Sequence, residues 1–117
     1  MLKTYLIGIV TVFFFILSNE AEAQNNRIDT AKFFVDGVCD MCQDRIENAA
    51  YQRGVKFVEW DKNKREITVI YKTKRTSVER IKKNILAAGH DVGDQKAKKE
   101  DYLSIDECCR YRELETH

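Results

Sequence analysis

Three short runs of the chain are rich in β-branched and aromatic residues, and in two of them apolar and polar positions alternate, whereas apolar residues recur at helical spacing in two longer runs. Alternation at every second position, in runs rich in β-branched and aromatic residues, is typical of half-buried strands. Recurrence at every third or fourth position is typical of an amphipathic helix. The sequence therefore predicts strands over 31–35, 55–61 (with imperfect alternation) and 66–71, and helices that end at Gly54 and Gly89.

The second predicted helix has the clearest boundaries. Thr76 and Glu79 are spaced as a capping box, in which the first side chain bonds the helix N-terminus and the second reaches back. Gly89 is suited to end the helix, because glycine readily adopts the left-handed conformation found there. Between these signals, one helix face is formed by Val78, Ile81, Ile85 and Ala88.

A weaker strand pattern over 91–96 completes the order βαββαβ, which is the ferredoxin-like arrangement. This α+β fold is a sandwich of a four-stranded antiparallel sheet with both helices on one face. The domain would span 31–96, and residues 97–117 would form a C-terminal tail. We expect the sheet–helix interface to be lined by Ile46, Ala50, Val55, Ile67, Val69, Ile81 and Ile85.

The N-terminus has the pattern of a secretory signal peptide. A lysine precedes an apolar run over residues 5–17, which falls short of the ~20 residues that a spanning helix needs. Small residues then suit cleavage after Ala23. We expect residues 1–23 to be the signal peptide and 24–30 a polar leader, so that the mature protein is periplasmic or secreted and has no membrane segment. An uncleaved N-terminal anchor is the alternative.

The charge balance argues against whole classes of partner. The chain has 20 Lys and Arg residues against 19 Asp and Glu residues, and its net charge is +1. Nucleic acids and anionic membranes attract clustered positive charge, and the charges of this chain are interspersed. The sequence also has no Ser/His/Asp set, paired-carboxylate cleft or phosphate-binding loop. We therefore expect a non-catalytic protein that binds no nucleic acid. We also expect the protein to be a monomer.

Two cysteines lie where the first strand gives way to the first helix. Residues three apart on a helical turn share one side, so Cys39 and Cys42 can direct their sulfurs at one point. The free N–H groups and positive dipole end of a helix N-terminus favour the thiolate form. Such a pair suits Cu(I), Hg(II) or Zn(II), and Cu(I) is favoured because Zn(II) takes four ligands. A dithiol redox centre and a structural disulfide are the alternatives in an exported protein.

The chain from about Ala31 to Lys96 resembles the heavy-metal-associated domain. This family comprises small copper chaperones, the metal-binding domains of P-type ATPases and the periplasmic mercury-binding protein. The resemblance implies that Cys39 and Cys42 bind a soft metal, usually Cu(I), and pass it on by ligand exchange. It also implies a partner such as a metal-transporting ATPase or an efflux component. The matching stretches are Val35-Asp36-Gly37, Cys39-x-x-Cys42, Arg45-Ile46-Glu47, Gly54-Val55 and Gly89-His90-Asp91.

The cysteine loop departs from the family pattern Gly-Met-x-Cys-x-x-Cys. Gly37-Val38-Cys39 is one residue shorter, and a methionine stands instead between the cysteines, as Met41. We expect Met41 to fill the core rather than to bind metal. The shortened loop cannot adopt the backbone conformation of the family's loop. The resemblance therefore predicts the fold better than it predicts the identity of the metal.

His90 is a further candidate ligand. It just precedes the fourth predicted strand, which begins at the sheet edge where the first strand ends. His90 should therefore lie beside the cysteine loop, where its imidazole would be a third ligand or would tune the thiolates. A surface loop position is the alternative.

The tail contains a vicinal cysteine pair, Cys108 and Cys109. Vicinal cysteines seldom bond to each other, because the ring strains the peptide between them. The eleven residues 97–107 span about 36 Å extended or about 17 Å as a helix, which is enough to return to the cysteine loop. We predict that the pair approaches Cys39 and Cys42 as added thiolate ligands or exchange partners, pinned by Tyr102, Leu103 and Ile105. An independent, floppy tail is the alternative.

Overall fold

Residues 27–114 are described by a computed structural model of the chain. Their strands are β1 (Ile28–Phe34), β2 (Val55–Asp61) and β3 (Glu66–Lys72), and their helices are α1 (Asp40–Ala50), α2 (Val78–Ala87), α3 (Lys99–Leu103) and α4 (Tyr111–Leu114), with a 3₁₀ turn at Glu107–Cys109. None of the helices in this part of the chain has the length and apolarity to cross a membrane. The predicted signal peptide lies outside the described residues.

The three strands form an antiparallel sheet in the order β1-β3-β2. The central strand alternates strictly, and Ile67, Val69 and Tyr71 are its buried positions. The register places Ala31 of β1 opposite Val69 and Phe33 opposite Ile67. Residues directly opposite each other in a sheet point to the same side, so the alternation predicted from the sequence builds one apolar face.

The imperfect alternation of β2 has a physical cause. Its register against β3 shifts between Val55 and Phe57. A β-bulge of this kind inserts one extra residue and reverses the facing of the residues beyond it. Val55 and Trp60 are therefore both buried although they are an odd number of positions apart, and Phe57 is 43% exposed.

Both long helices pack their apolar faces on this side of the sheet. Their buried side chains belong to one cluster with the inner faces of the strands. The predicted interface is confirmed, because all seven of its residues are buried: Ile46, Ala50, Val55, Ile67, Val69, Ile81 and Ile85.

The predicted fourth strand is not formed in the part of the chain that the structure describes. Val92 makes only isolated bridges, to Val35 and to Gln95. The chain turns back at once, because Gly93 has a φ of 54° and the Gln95 N–H donates to the Val92 carbonyl at 2.9 Å. The α+β fold is thus observed with a three-stranded sheet, and the prediction of four strands was wrong.

The cap of α2 also lies one residue later than predicted. The Ser77 side chain, not that of Thr76, accepts the hydrogen bond from the Arg80 N–H, at 3.3 Å. Thr76 is buried and its hydroxyl accepts a hydrogen bond from Gln52 Nε2 at 2.8 Å. Its side chain therefore ties α2 to the end of α1 instead of capping the helix.

Gly89 ends α2 in a conformation that the tail requires. Its φ is 100°, and a Cβ there would lie 2.5 Å from the Asp101 carbonyl oxygen and 2.6 Å from Ile105 Cγ2. We expect Gly89→Ala to cost roughly 1–3 kcal/mol in the free energy of unfolding, measured with urea. Gly93→Ala is the matched control, because its φ of 54° is also positive but no heavy atom lies within 4 Å. Equal losses at the two positions would contradict the packing argument.

Candidate metal centre

The cysteine loop is built by the cap of α1. Cys39 is the N-cap residue, and its Sγ accepts a hydrogen bond from the Cys42 N–H at 3.3 Å. This geometry brings the two sulfurs to 3.0 Å from each other. Gly37 allows the loop to pack closely against Trp60, because a Cβ at this position would lie 3.0 Å from the Trp60 ring. The helix start therefore places both sulfurs on one side, as the spacing predicts.

The tail brings its cysteines to the same point. Cys109 Sγ lies 2.7 Å from Cys39 Sγ, and the sulfurs of Cys39, Cys108 and Cys109 all lie within 4.8 Å of one another. Cys42 Sγ donates to the Cys109 carbonyl at 3.8 Å. None of the four cysteines forms a disulfide. The structure thus shows the predicted approach of the tail, and the role of its cysteines as metal ligands stays a prediction.

A buried ion pair holds the tail in place. The Arg112 guanidinium donates to both carboxylate oxygens of Asp91, at 2.6 and 3.1 Å. Asp91 is 2% exposed. Next to this pair, the Tyr111 hydroxyl accepts from the Asp91 N–H at 2.8 Å and donates to the Gly89 carbonyl at 2.9 Å. These contacts fix the chain two and three residues beyond Cys109.

The predicted apolar anchors are only partly correct. Tyr102 and Ile105 are buried, but Leu103 is 46% exposed. Residues three apart lie on one side of a helical turn, so Tyr102 and Ile105 reach the domain together while Leu103 faces away. Two further anchors, Tyr111 and Arg112, are not evident from the sequence pattern, and the signal for the first was an aromatic residue two positions after Cys109.

The sulfurs differ in their affinity for protons. Burial acts to raise the pKa of the Cys39 thiol, but hydrogen bonds from Cys109 and Cys42 outweigh it and hold this pKa below its ordinary value. Burial raises the pKa values of Cys42 and Cys109. Cys39 is therefore the first of these three sulfurs to become a thiolate, and it accepts hydrogen bonds from its thiol neighbours.

We expect alkylation to reveal this thiolate. With iodoacetamide over a pH series, the rate at Cys39 should rise with a midpoint below the ordinary thiol pKa of about 8.5, because a lowered pKa keeps thiolate present at lower pH. In Cys109→Ala the midpoint should move upward, since one hydrogen-bond donor is lost. Mass spectrometry of the peptides assigns the rates, and an unchanged midpoint in the variant would contradict the assignment.

Met41 lies at the surface, so the prediction that it fills the core was wrong. Its side chain is 52% exposed. The buried face of α1 is set by residues four apart, Cys42, Ile46 and Ala50, and Met41 falls outside it. The Cys108 thiol donates to Met41 Sδ at 3.6 Å, which places a thioether beside the cysteine cluster.

His90 is fully buried beside the cysteine loop, and the alternative of a surface position was wrong. Its Nδ1 lies 2.8 Å from the Asp36 carbonyl, and its ring stacks on Tyr111. Burial lowers the His90 pKa, so the neutral ring donates from Nδ1. Within the described residues, the cluster of candidate ligand atoms does not include His90. The geometry therefore suits His90 to positioning the loop, and its role as a metal ligand stays a prediction.

A small α+β domain that presents a pair of cysteines at a helix N-terminus is typical of soft-metal-binding domains. No protein-family profile matches the chain. The copper chaperone CopZ of Staphylococcus haemolyticus is 40% identical over 60 residues, which are 50% of this chain and 88% of that protein.

Solved structures show the same likeness. A CopZ metallochaperone superposes with a TM-score of 0.53 at 24% identity and covers 55% of this chain and 98% of its own. Oxidized MerP from Ralstonia metallidurans CH34 superposes with a TM-score of 0.54 at 25% identity and covers 57% of this chain and 96% of its own. The chain belongs to the heavy-metal-associated domain family.

Proposed function

We propose that this protein binds a soft metal ion, Cu(I) before others, and transfers it by thiolate ligand exchange without catalysing a reaction. The observation that carries this proposal is the position of Cys39 Sγ, within 3.0 Å of the sulfurs of both Cys42 and Cys109. Soft thiolate ligands select Cu(I) and Zn(II), and three thiolates favour Cu(I) because Zn(II) takes four ligands. The relatives named as a copper chaperone and a metallochaperone support the same reading.

The inner site of this proposal consists of Cys39, Cys42 and Cys109. Metal–sulfur bonds of about 2.3 Å in a trigonal site space the sulfurs roughly 4 Å apart. The separations of 3.0 and 2.7 Å from Cys39 must therefore widen when an ion enters. Cys39 lies on a loop and Cys109 on a 3₁₀ turn, so short segments rather than the core make this adjustment.

Zn(II) is the second candidate ion. The Cys108 sulfur lies within 4.8 Å of the sulfurs of Cys39 and Cys109, so a set of four thiolates is within reach, and Zn(II) prefers four ligands. Hg(II) shares the preference of Cu(I) for thiolates and would compete for the inner site. Titration with each ion against the others ranks them.

The rest of the proposal concerns the setting of the protein. Export through the predicted signal peptide would place it in the periplasm or outside the cell, and a metal-transporting ATPase or efflux component would be its exchange partner. An oxidising compartment closes thiol pairs unless a reductant or a bound metal protects them. Metal loading would then also keep the cysteines reduced.

The rival function is dithiol–disulfide exchange through the same cysteines. The lowered pKa of Cys39 and the neighbouring Cys42 and Cys109 thiols favour it, because an attacking thiolate needs a resolving thiol. Titration of the reduced protein with Cu(I) against a chromogenic chelator separates the two functions.

We expect the first equivalent of Cu(I) to be withdrawn from the chelator, and this binding to be lost in Cys39→Ser/Cys42→Ser. Cys108→Ser is the matched control, because it removes a thiol outside the inner site and should retain the first equivalent. Absence of a complex in the wild type, together with reduction of insulin disulfides, would establish the rival instead.

A further inference from the structure

Five sulfur atoms form a continuous row across the metal centre. The Met41 Sδ is 3.6 Å from Cys108 Sγ, and Cys108 Sγ is 4.0 Å from Cys109 Sγ. From there the separations to Cys39 Sγ and on to Cys42 Sγ are 2.7 and 3.0 Å. The row therefore extends beyond the three sulfurs of the inner site.

The two ends of the row differ in their exposure to solvent. Met41 is 52% exposed and Cys108 is exposed, whereas Cys42 and Cys109 are fully buried. Met41 also lines an open groove of about 550 Å³ beside α1. Cys39, which lies between Cys109 and Cys42 in the row, is partly exposed. An ion arriving from solvent or from another protein can thus contact the Met41–Cys108 pair before it reaches the buried sulfurs of Cys109 and Cys42.

The outer pair has the chemistry of a Cu(I) site. Two sulfurs can share one ion when they lie within about 4.6 Å, twice a metal–sulfur bond of about 2.3 Å, and the pair is 3.6 Å apart. A thioether and a thiolate are both soft donors that suit Cu(I), and two ligands fall short of the four that Zn(II) takes. Met41 is also one residue from Cys42, so the outer pair adjoins the inner site along the chain.

We propose that Met41 and Cys108 form a second Cu(I) position, at which the ion enters and leaves the inner site. This proposal rests on the proposed function of Cys39, Cys42 and Cys109, and it gives the protein a capacity of two Cu(I) ions. Transfer inward breaks the bonds of the ion to Met41 and Cys108 as bonds to Cys109 and Cys39 form. The copper remains Cu(I) throughout; each thiol that becomes a ligand releases one proton to solvent, and the Cys108 thiolate takes up one proton when the ion leaves it.

Stoichiometry tests the proposal in the full chain. Reduced protein is titrated with Cu(I) under anaerobic conditions against a chromogenic chelator, and bound ions per chain are counted. We expect two ions in the wild type and one in Met41→Leu/Cys108→Ser, with the first retained at full affinity. Glu107→Gln is the matched control, because it alters the exposed neighbour of Cys108 without removing a soft donor, and it should bind two ions.

A second measurement observes the outer ligand directly and does not depend on a variant. The chain contains two methionines, and ¹³C labelling of their methyl groups gives each an NMR signal. We expect the Met41 signal to move with the second equivalent of Cu(I) and not with the first. Saturation of the wild type at one ion, or two ions in the double variant, would overturn the outer site. Failure of the wild-type protein to bind even a first Cu(I) ion would instead overturn the proposed function.

Discussion

Replacement of Cys39 with serine is expected to lower the affinity of the reduced protein for Cu(I) more than any other single change. Cys39 Sγ contacts the sulfurs of both other inner-site cysteines, and its pKa lies below the ordinary value. Loss of a group that only supports a metal ligand costs about 10–100-fold in affinity, so loss of this direct ligand should exceed about 100-fold. Competition with a chromogenic Cu(I) chelator measures the change.

The control for this prediction is Cys108→Ser, which also exchanges one thiol for a hydroxyl. Because Cys108 lies at the exposed end of the cluster, the affinity for the first equivalent should change by less than tenfold, which is below the loss of about 10–100-fold that follows removal of a group supporting a metal ligand. A Cys39→Ser variant that retained the wild-type affinity would show that the first ion is bound elsewhere.

Replacement of Arg112 with alanine is expected to produce the largest loss of stability, about 3 kcal/mol, which is the low end of the range for breaking a buried ion pair. The variant would leave the Asp91 carboxylate buried at 2% exposure without its guanidinium partner. The low end applies because the Arg112 side chain is 31% exposed. Urea unfolding measures the loss, and loss of Tyr111 packing would accompany it.

Lys96→Ala provides the matched control, since its ammonium pairs with the same carboxylate at 3.5 Å but is 74% exposed. Exposed ion pairs are worth up to about 1 kcal/mol, so the free energy of unfolding should fall by no more than this. Equal losses in the two variants would contradict the assignment of Arg112 as the anchor of the tail.

The same ion pair gives stability a pH dependence of known sign. Burial acts to raise the pKa of Asp91, but hydrogen bonds from Arg112 and the Ala97 N–H outweigh it and hold this pKa below its ordinary value. The stabilisation is therefore complete above the unfolded-state pKa of about 3.9. This stabilisation is lost as the pH falls through the lower pKa that Asp91 has in the folded state. The free energy of unfolding of the Arg112→Ala variant should therefore fall less between neutral and acid pH than that of the wild type.

The core could be predicted from the sequence because it depends on local periodicity. Ile67 and Val69 alternate on one strand, and Ile81 and Ile85 recur on one helix face, so their burial follows from spacing alone. The surface position of Met41 could have been predicted from the same periodicity. The spacing of Cys42, Ile46 and Ala50 defines the buried face of α1, and Met41 does not lie on that face.

The fourth strand and the anchoring of the tail could not be predicted in this way. The pattern over 91–96 is weak, and its conformation is decided by Asp91, which bonds Arg112 from 21 residues away along the chain. No local pattern identifies a partner at that separation. Chain length showed that Cys108 and Cys109 could reach Cys39, whereas the contacts of Tyr111 and Arg112 determine that they do.

X-ray absorption at the copper edge, recorded with one equivalent of Cu(I) bound, tests the inner site most directly, because it counts the atoms bonded to the ion. We expect three sulfur ligands in the wild type and two in Cys109→Ser, with circular dichroism showing that the variant keeps its fold. Two sulfur ligands in both proteins would contradict an inner site of three cysteines, because Cys39 and Cys42 would then hold the ion without the tail.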